Sequence, residues 1–469
     1  MENALNLNAQ VIEKYEAIKG SFYTFYPHTG IWGEEINADD YRKAFTSLSL
    51  NNPSAPTAIY FHFPYCPKQC FFCQCYTVIS GDYSKTQKVV SYVLREMDLL
   101  FDFFRKISFK PNIREVHFGG GSPSHLREPE INMVVEKLKE MVDIKSLDEF
   151  SIEIDPRFDM TQEKIRFYST LGINRVSIGI QDFDPVVQKS LNRIHSPEQV
   201  EGLFPPKIKS LFKSVNVDLI YGLPFQTRET FQKTMETVKK ISPDRIALCV
   251  LGYRPDVFKF QSVIKEKDLP SLQERTLINE DAKQFLFSEG YERIGIDHFS
   301  KPTDDLAKAK VKKSMLRNAM GYTPGRYTEM ISFGPSAMGA VNEYYFQNTY
   351  ELDKYYDAID DDELPIFRGH KASHDDLIRR HVINSIILYG EVSFVELEEK
   401  FGVQFESYFG RELALLEKGP VEDGLLVIDK DKITLTKLGV RFQRQVCMNF
   451  DTSSLYKHSR EFEMVGEDS

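Results

Sequence analysis

Between residues 57 and 253, strand-like stretches alternate with segments of helical periodicity, and this alternation restricts the possible folds more than any other feature. Six stretches rich in β-branched and aromatic residues span 57–63, 113–118, 149–155, 175–181, 214–223 and 245–253. In segment 84–107, apolar residues recur at the spacing of one helix face, from Val89 to Phe104. Such alternation predicts an α/β fold with a parallel sheet and right-handed crossovers. Six successive units favour a barrel, complete or partial, over an open doubly wound sheet.

The residues with the most distinctive chemistry lie at the ends of these stretches. They are a cysteine run after the first, Gly119–Gly121 after the second, Glu153 and Asp155 in the third, Gln181 ending the fourth, and Asp218 in the fifth. Parallel barrels carry their active sites at the carboxyl ends of the strands. We therefore expect one cavity to collect these side chains.

The regions on either side of the alternation have other patterns. Residues 1–50 are polar with scattered aromatic residues and are predicted to form an N-terminal arm that serves as a lid. Residues 51–300 are assigned to the barrel and 301–469 to a mostly helical C-terminal domain. In that last part, helical segments at 373–390, 393–402 and 405–419 precede a hairpin at 425–436, an order that resembles a winged helix.

The composition is ordinary for a globular protein, with 42% hydrophobic and 27% charged residues. The net charge of -10 disfavours a nucleic-acid backbone as the main partner. No stretch approaches the roughly 18 apolar residues that a transmembrane helix needs, and no signal peptide is visible. We expect a cytoplasmic monomer with no membrane or nucleic-acid partner.

Four of the six cysteines are clustered: Cys66, Cys70, Cys73 and Cys75. One cysteine alone is usually a buried apolar side chain, but four directly after a strand indicate metal binding or catalysis. A structural zinc site is an alternative, yet it typically uses two separated pairs of ligands. The remaining two cysteines stand alone in the sequence, so no second pair is present.

The spacing C-x3-C-x2-C fits an iron–sulfur cluster better than zinc. Three thiolates, from Cys66, Cys70 and Cys73, can bind one face of a [4Fe–4S] cubane. Such a cluster normally has four thiolate ligands. One iron is then left open for another ligand. Cys75 is separated from Cys73 by one residue, which makes joint ligation awkward.

This motif after the first strand of a parallel barrel resembles the radical S-adenosylmethionine (SAM) superfamily, as does the glycine run Gly119–Pro123. The resemblance implies that the open iron binds the amino and carboxylate groups of SAM. An electron from the cluster would then cleave SAM to methionine and a 5′-deoxyadenosyl radical. The glycine-rich turn would let the backbone approach the ligand closely.

Further segments extend the resemblance to one family. HFPYCPKQCFFCQC, SIEIDPR, RVSIGIQDF, LNRIHS, VNVDLIYGLPFQT, IGIDHFSKP and CMNFD occur in the order typical of oxygen-independent coproporphyrinogen III oxidases (dehydrogenases). Cys75 favours this family over the related haem chaperones, which typically lack that cysteine. The resemblance implies an oxidoreductase of porphyrin and haem biosynthesis. It would convert two propionates of coproporphyrinogen III to vinyl groups, giving protoporphyrinogen IX.

The resemblance also implies roles for individual residues. Cys66, Cys70 and Cys73 hold the cluster, while Cys75 is catalytic without being a ligand. The cluster-bound SAM is contacted by Tyr60 (also catalytic), Gly120, Glu153 and Met338. A second SAM is lined by Phe72, Gly121, Ser122, Gln181, Arg193, Asp218 and Gly252. The implied partners are a tetrapyrrole substrate and a low-potential electron donor of the flavodoxin or ferredoxin type.

Three segments depart from the family pattern, and one of them is LYGEVSF (388–394), which follows the C-terminal helix. Met320 stands where a glutamine commonly precedes GYT, so a thioether replaces an amide. Tyr253 and Arg254 stand where the family usually reads NYAHLP. Because these positions adjoin the second SAM and the substrate in the family, a haem chaperone or an enzyme for another tetrapyrrole is the alternative. Nucleic-acid binding by the winged helix is disfavoured, because segment 400–419 is acidic and apolar where a recognition helix is basic.

Overall fold

In the described part of its N-terminal region, the computed structural model contains two α-helices, α1 (Glu2–Ala17) and α2 (Ala38–Asn51). Residues 2–18, 23–24, 26–325 and 327–452 are described, with side chains from residue 10 onward. Asn37 caps α2 in a reciprocal capping box with Asp40. The apolar face of α2 is buried in the main core through Tyr41, Phe45 and Leu48. Residues 38–51 therefore belong to the barrel core rather than to the arm.

The central region alternates strands and helices as the sequence predicts. Its elements are β1 (Pro56–Phe63), β2 (Tyr65–Cys66), β3 (Val78–Ile79), α3 (Tyr83–Lys106), β4 (Asn112–Gly120), α4 (Glu128–Leu138), β5 (Glu149–Ile154), α5 (Gln162–Thr170), β6 (Arg175–Gln181), α6 (Pro185–Ser190), α7 (Pro197–Leu203), α8 (Pro206–Lys209), β7 (Ser214–Tyr221), α9 (Arg228–Ile241), β8 (Arg245–Val250) and α10 (Leu272–Ser288).

A strand-rich region follows. Its elements are β9 (Glu292–Ile294), β10 (His298–Ser300), α11 (Asp305–Val311), β11 (Leu316–Asn318), β12 (Gly321–Thr323), β13 (Glu329–Phe333), β14 (Met338–Val341), β15 (Tyr344–Asn348), α12 (Leu352–Asp360) and β16 (Ile366–Lys371).

Twelve strands form one sheet in the order β16-β15-β14-β13-β1-β4-β5-β6-β7-β8-β10-β9. Neighbours from β13 to β8 pair in parallel. Antiparallel strands extend the sheet at both ends. Because β16 and β9 are the two edges of this sheet, the barrel is partial, and the predicted fold class is confirmed.

The two faces of the parallel strands have different chemistry, because successive side chains point to opposite faces. One face packs apolar residues such as Val116, Phe150 and Ile152 against the helices. The other face is polar: His117 lies 2.6 Å from Ser151 Oγ, a residue of the adjacent strand. The barrel interior is therefore lined with hydrogen-bonding groups that end at the carboxyl edge.

The sheet continues past the predicted barrel boundary at residue 300. β13 pairs with β1 from Thr57↔Glu329 to Phe61↔Phe333, and β14, β15 and β16 follow it. The assignment of residues 301–469 to a helical domain is therefore wrong for residues 329–371. β13 pairs with a strand far away in the sequence, and the other three strands follow it as antiparallel neighbours, so local periodicity carried no indication of their position in the sheet.

The C-terminal region has the predicted winged-helix order. It contains α13 (His374–Tyr389), β17 (Glu391–Ser393), α14 (Phe394–Phe401), α15 (Phe405–Tyr408), α16 (Gly410–Leu416), β18 (Leu426–Ile428), β19 (Lys432–Leu435), α17 (Lys437–Arg441) and α18 (Gln443–Cys447). The predicted hairpin is formed by β18 and β19. The predicted third helix is divided at Phe409, whose buried ring packs on Phe405 and Phe450. In the described part of the chain, no helix is both long and apolar enough to cross a membrane.

Candidate active site at the carboxyl ends of the strands

The cysteine loop begins where β1 ends and is fixed at its base by β2 and β3. Cys66 pairs with Ile79 across these short strands, and the Ser80 amide donates to the Cys66 carbonyl at 3.1 Å. All six cysteines are free thiols. Cys70 is buried, Cys66 and Cys73 are half-buried, and Cys75 is exposed. The loop therefore presents its thiols at different depths below the protein surface.

The glycine turn after β4 lies directly against this loop. The Gly121 amide donates to the Phe63 carbonyl at 2.9 Å. A Cβ at Gly121 would lie 2.5 Å from the Pro64 oxygen and 3.1 Å from Cys66 Sγ. Gly120 has φ +113, a conformation that side chains rarely adopt. Only glycine allows the turn to approach the first predicted cluster ligand this closely.

The donor set fits a cluster with anionic sulfur ligands. Arg157 Nη2 donates to Cys70 Sγ at 3.1 Å, and Arg193 Nη1 lies 3.5 Å from the same sulfur. A hydrogen bond from Cys75 lowers the pKa of Cys73 to about 7, whereas burial raises the pKa of the Cys66 thiol. Iron would displace that proton, because ligation requires the thiolate.

The described residues contain no group of three or more His, Cys, Asp or Glu side chains placed to hold a single metal ion. A [4Fe–4S] cluster needs a different arrangement, in which each thiolate binds its own iron. The three cysteines, together with the space that Gly121 leaves beside Cys66, fit such a cluster.

Tyr60 and His62 form a hydrogen-bonded relay on β1. His62 Nε2 donates to the Tyr76 carbonyl at 2.9 Å, so Nδ1 accepts from the Tyr60 hydroxyl at 2.9 Å. Burial lowers the pKa of His62, which keeps the ring neutral. Burial, followed by the charge of Glu153, raises the pKa of Tyr60. His62 is thus a hydrogen-bonded strand histidine that fixes the Tyr60 hydroxyl.

Glu153 lies beside Tyr60 at the end of β5. Its Oε1 accepts from His117 Nε2 at 3.2 Å, and the His117 ring stacks on Tyr60 with centroids 5.9 Å apart. A Cβ at Gly119 would contact His117, Tyr60 and Glu153 at 3.0–3.1 Å. The Glu153 side chain is 43% exposed, so it is also accessible to solvent.

Asp155 is held between two buried arginines. Arg157 Nη2 lies 2.6 Å from Asp155 Oδ2 and Arg193 Nη1 lies 3.1 Å from the same oxygen. Although burial acts in the opposite direction, the charge of Arg193 and the hydrogen bonds of Arg157 lower the pKa of Asp155 to about 2. The group is an ion-pair network adjoining Cys70.

Arg193, predicted to bind a carboxylate of the second SAM, is already engaged within the protein. Its Nε donates to the Gly179 carbonyl at 2.9 Å, and its guanidinium lies 5.9 Å from the centroid of the Phe72 ring. Gln181, at the irregular end of β6, has φ +71 and its side chain would meet a Cβ placed at Gly179. Phe72, Gln181 and Arg193 thus lie near one another.

Asp218 lies on β7, where it accepts from Asn216 at 2.7 Å and from Ser177 at 3.1 Å. Burial, and then the negative charge of Glu153, raise the pKa of Asp218. Asp218 is thus held by polar side chains of its own strand and of the adjacent strand β6.

The remaining predicted residues border the same region. The Gly252 carbonyl accepts from Gln74 Nε2 at 2.8 Å, which ties the end of β8 to the cysteine loop. Ser122 Oγ lies 3.4 Å from Ser124 Oγ, just after the glycine turn. Met338 and Tyr60 border one apolar cluster, and Met320 borders it as well. Met320 thus packs against the same apolar cluster as two residues predicted to contact the first SAM.

Two cavities lie away from these residues. One of about 810 Å³ has Tyr327, Glu329 and Arg380 in its walls. The other, of about 770 Å³, lies at the amino ends of the strands near Glu149 and Arg245. Neither is lined by a predicted site residue, and the amino end of a barrel usually serves stability.

Comparison with known proteins identifies the lineage of the chain. Residues 60–238 match the Radical SAM superfamily and residues 372–442 match the HemN C-terminal domain. The oxygen-independent coproporphyrinogen III oxidase of Pseudomonas aeruginosa is 32% identical over 453 residues, covering 96% of this chain and 97% of that protein. Its Escherichia coli counterpart is 34% identical over 443 residues, covering 94% of both chains.

The chain belongs to the oxygen-independent coproporphyrinogen III oxidase family.

A solved structure of the family has the same fold. Coproporphyrinogen III oxidase (HemN) from Escherichia coli, described as a radical SAM enzyme, superposes with a TM-score of 0.86 at 32% identity, covering 92% of this chain and 97% of that one. The family assignment and the [4Fe–4S] and SAM cofactors expected from the sequence are confirmed.

Several polar residues of the site were not predicted from the sequence: His117, Ser151, Arg157, Ser177 and Asn216. Four of them lie two residues before a predicted site residue or a site glycine on the same strand face, so period-two alternation could have indicated them. Arg157 follows β5 in a loop, and the sequence carried no indication of its contact with Cys70.

Proposed function

We propose that the chain is an oxygen-independent coproporphyrinogen III oxidase. It would catalyse the oxidative decarboxylation of two propionate side chains of coproporphyrinogen III, giving protoporphyrinogen IX. The observation that carries this proposal is the likeness, over more than nine-tenths of both chains, to relatives with that name. The cysteine loop and glycine turn at the barrel mouth agree with it.

Cys66, Cys70 and Cys73 would hold the [4Fe–4S] cluster. When bound, the reduced cluster supplies the electron that cleaves SAM and so provides a hydrogen-abstracting radical. The protein orients and shields these partners. Gly121 gives the loop room, and Arg157 donates to Cys70.

Tyr60, Gly120, Glu153 and Met338 would bind the SAM at the cluster. Glu153 offers a partly exposed carboxylate suited to an amino group. Tyr60 is oriented by its hydrogen bond to the neutral His62. Phe72, Gly121, Ser122, Gln181, Arg193, Asp218 and Gly252 would line a second SAM, for which Asp218 can accept from ribose hydroxyls.

The substrate reaction balances with one electron acceptor for each propionate. Each –CH2CH2CO2⁻ group loses a β-hydrogen atom, CO2 and one electron, which leaves –CH=CH2. Cys75 is exposed at the edge of the loop. It is not one of the three proposed cluster ligands. We assign it a catalytic role next to the substrate. Excluding water from the active site prevents side reactions of the radical. We propose that the N-terminal arm covers the site and keeps water out.

We also propose a low-potential electron donor of the flavodoxin or ferredoxin type, activity as a monomer and a cytoplasmic location. The donor is required because the cluster must be reduced before SAM is cleaved. A tetrapyrrole substrate follows from the family.

An alternative is supported by Met320. A thioether in place of an amide removes a hydrogen-bond donor beside the apolar cluster that Tyr60 and Met338 border. This substitution favours a changed substrate, either another tetrapyrrole or haem bound for delivery.

Anaerobic turnover tests the proposal. Reconstituted protein with SAM, coproporphyrinogen III and a low-potential reductant should release two CO2 per protoporphyrinogen formed. Cys66→Ala is the control that lacks the cluster. SAM cleavage without CO2 release would contradict the substrate assignment, and stoichiometric haem binding without SAM cleavage would favour the chaperone.

A further inference from the structure

The guanidinium group of Arg157 is fixed by the protein on every side. Its Nε donates to Asp155 Oδ1 at 2.9 Å and its Nη2 donates to Asp155 Oδ2 at 2.6 Å. Its Nη1 donates to the Asn192 carbonyl at 2.8 Å. The side chain is only 6% exposed, so the group cannot reorient toward solvent.

This fixed group is directed at one predicted cluster ligand. Arg157 Nη2 also donates to Cys70 Sγ at 3.1 Å. Asn192 accepts from Arg157 through its backbone carbonyl, and its side-chain amide donates to the Gln69 carbonyl at 2.8 Å. The arginine and the loop that carries Cys70 are thus held in register by two independent connections.

The charge balance next to Cys70 is positive. Asp155 neutralises one arginine, but Arg193 lies 3.1 Å from the same carboxylate and 3.5 Å from Cys70 Sγ. Two guanidinium groups and one carboxylate leave one excess positive charge beside the sulfur. Desolvation strengthens its effect, because all three side chains are at most 9% exposed.

We propose that Arg157 sets the reduction potential of the cluster by donating an N–H···S hydrogen bond and a positive charge to Cys70. The inference rests on the cluster ligation of the proposed function and goes beyond it. One-electron reduction adds negative charge to the cluster and its sulfur ligands. Hydrogen bonds and positive charge at a ligand sulfur stabilise the reduced form. The electron comes from the low-potential donor, and no bond at Arg157 forms or breaks.

Arg157 is better suited to this role than Arg193. Its contact with Cys70 is shorter, and its other donors are used by Asp155 and Asn192. Arg193 also contacts the Gly179 carbonyl and the Phe72 ring, near the region proposed for a second SAM. Removing Arg157 therefore changes the environment of Cys70 without removing a proposed SAM-binding side chain.

The test is an EPR-monitored redox titration of the reconstituted holoprotein, without SAM or substrate. The variants are Arg157→Gln, which removes the charge and the planar fork of donors, and Arg157→Lys, which keeps the charge but replaces the fork with a single ammonium group. Arg114→Gln is the matched control, because Arg114 makes a similar two-point pair with Asp148 far from the cysteine loop. Each preparation is also assayed for iron and sulfide.

Arg157→Gln should make reduction at least tenfold less favourable, which is a shift of about 59 mV to more negative potential for one electron. Arg157→Lys should shift the potential in the same direction by less. Arg114→Gln should match the wild type. The exchangeable-deuteron coupling to the reduced cluster should weaken in both Arg157 variants, because both alter the N–H···S hydrogen bond to Cys70. An arginine with only a structural role would contribute no such coupling, and neither variant would then lower it.

A wild-type potential in Arg157→Gln at full cluster content would overturn the inference. If Arg157→Gln holds no cluster, a wild-type potential in Arg157→Lys has the same meaning. Loss of the cluster from both variants would give Arg157 a structural role and also overturn it. A wild-type chain that binds no cluster at all would instead refute the proposed function.

Discussion

Cys75 lies at the exposed end of the cysteine loop, whereas Cys70 is buried beneath two arginines. We predict that Cys66→Ala, Cys70→Ala and Cys73→Ala each abolish cluster binding, because each variant removes one of the three thiolates proposed to hold the cluster. Cys75→Ser should retain iron and sulfide near the wild-type level but lose turnover. Iron content and visible absorption after anaerobic reconstitution measure the first effect, and CO2 release measures the second. Loss of iron from Cys75→Ser equal to that of the other three would make Cys75 a ligand.

Glu153 carries the negative charge that we expect the SAM amino group to meet. Glu153→Gln keeps an oxygen for His117 but removes this charge. A hydrogen bond to a charged group contributes about 1.5–3 kcal/mol, so SAM affinity should fall about 10- to 100-fold. Equilibrium dialysis on the reconstituted protein measures it. Glu163→Gln, an exposed position on α5, is the control. Equal SAM affinity in Glu153→Gln and wild type would remove Glu153 from the site.

His195 gives the site a pH-dependent contribution to stability. Its Nε2 donates to the Ile180 carbonyl at 3.0 Å. Burial and the nearby Arg193 lower its pKa from 6.5 to about 4. Between these values the unfolded chain binds a proton that the folded chain does not. The stabilisation is therefore complete above pH 6.5 and is lost as the pH falls toward 4.

His195→Gln should flatten this dependence, because glutamine can donate to the same carbonyl without titrating. The slope of the unfolding free energy against pH should decrease by up to about 1.4 kcal/mol per pH unit between pH 4 and 6.5. Urea unfolding of variant and wild type across this range measures the slope. An unchanged slope would show that the folded and unfolded chains bind a proton at His195 equally well, so that the fold does not lower its pKa.

The predicted site residues that can be argued from fold alone are those at strand ends. Glu153 and Asp218 follow from the rule that a barrel collects the carboxyl ends of its strands. Arg157 did not follow, because its contact with Cys70 joins positions separated by 87 residues. No local pattern specifies which loop charge meets which sulfur, since that depends on how neighbouring strands are placed.

At the level of elements, the parallel strands with flanking helices were predicted well, whereas β13 to β16, which extend the sheet beside β1, were not. β1, β4, β5, β6, β7 and β8 lie within two or three residues of their predicted bounds. β13 pairs with β1 although the two strands lie more than 260 residues apart in the chain, as in the pair Thr57↔Glu329. A short strand without a helix on either side has no periodic partner nearby, so its sheet position is set by tertiary pairing alone.

The turn between β4 and the following helix provides a test at this level. Gly121→Ala should displace the cysteine loop, because the added Cβ would lie 2.5 Å from the Pro64 oxygen and 3.1 Å from Cys66 Sγ. Overpacking of this kind typically costs about 1–3 kcal/mol. We expect lower iron incorporation together with a lower unfolding midpoint.

Gly202→Ala is the matched control, since a Cβ there meets nothing within 4 Å. It lies within α7, where alanine favours the helix by about 0.5–1 kcal/mol. Its iron content should equal that of the wild type. Full cluster loading in Gly121→Ala would show that the loop accommodates the methyl group, and the turn would then lose its proposed role.

At the scale of the whole molecule, the N-terminal arm links the barrel mouth to the C-terminal region. Glu16 lies 2.9 Å from Arg441 and 3.5 Å from Arg275. The Arg275 side chain in turn lies against Gly222, directly after β7. The end of α1 is therefore positioned above the carboxyl end of the barrel. This placement supports the proposal that the N-terminal arm is a lid. The proposed lid consists only of the residues before α2, because α2 belongs to the barrel core.

Glu16→Gln should weaken this closure without altering the cluster or the SAM site. A half-buried ion pair of this kind contributes up to about 1 kcal/mol, which corresponds to about fivefold more of the open form. Water and reductant would then reach the cavity more often, so more SAM should be cleaved for each CO2 released. The measurement is the ratio of deoxyadenosine to CO2 under anaerobic turnover, with iron content checked in parallel. Glu363→Gln is the control, because it removes an ion pair with Arg42 at 2.7 Å that holds α2 rather than α1. If the ratio is the same in Glu16→Gln, Glu363→Gln and wild type, closure does not depend on the contacts of α1. The arm would then have only a structural role, in connecting the barrel to the C-terminal region.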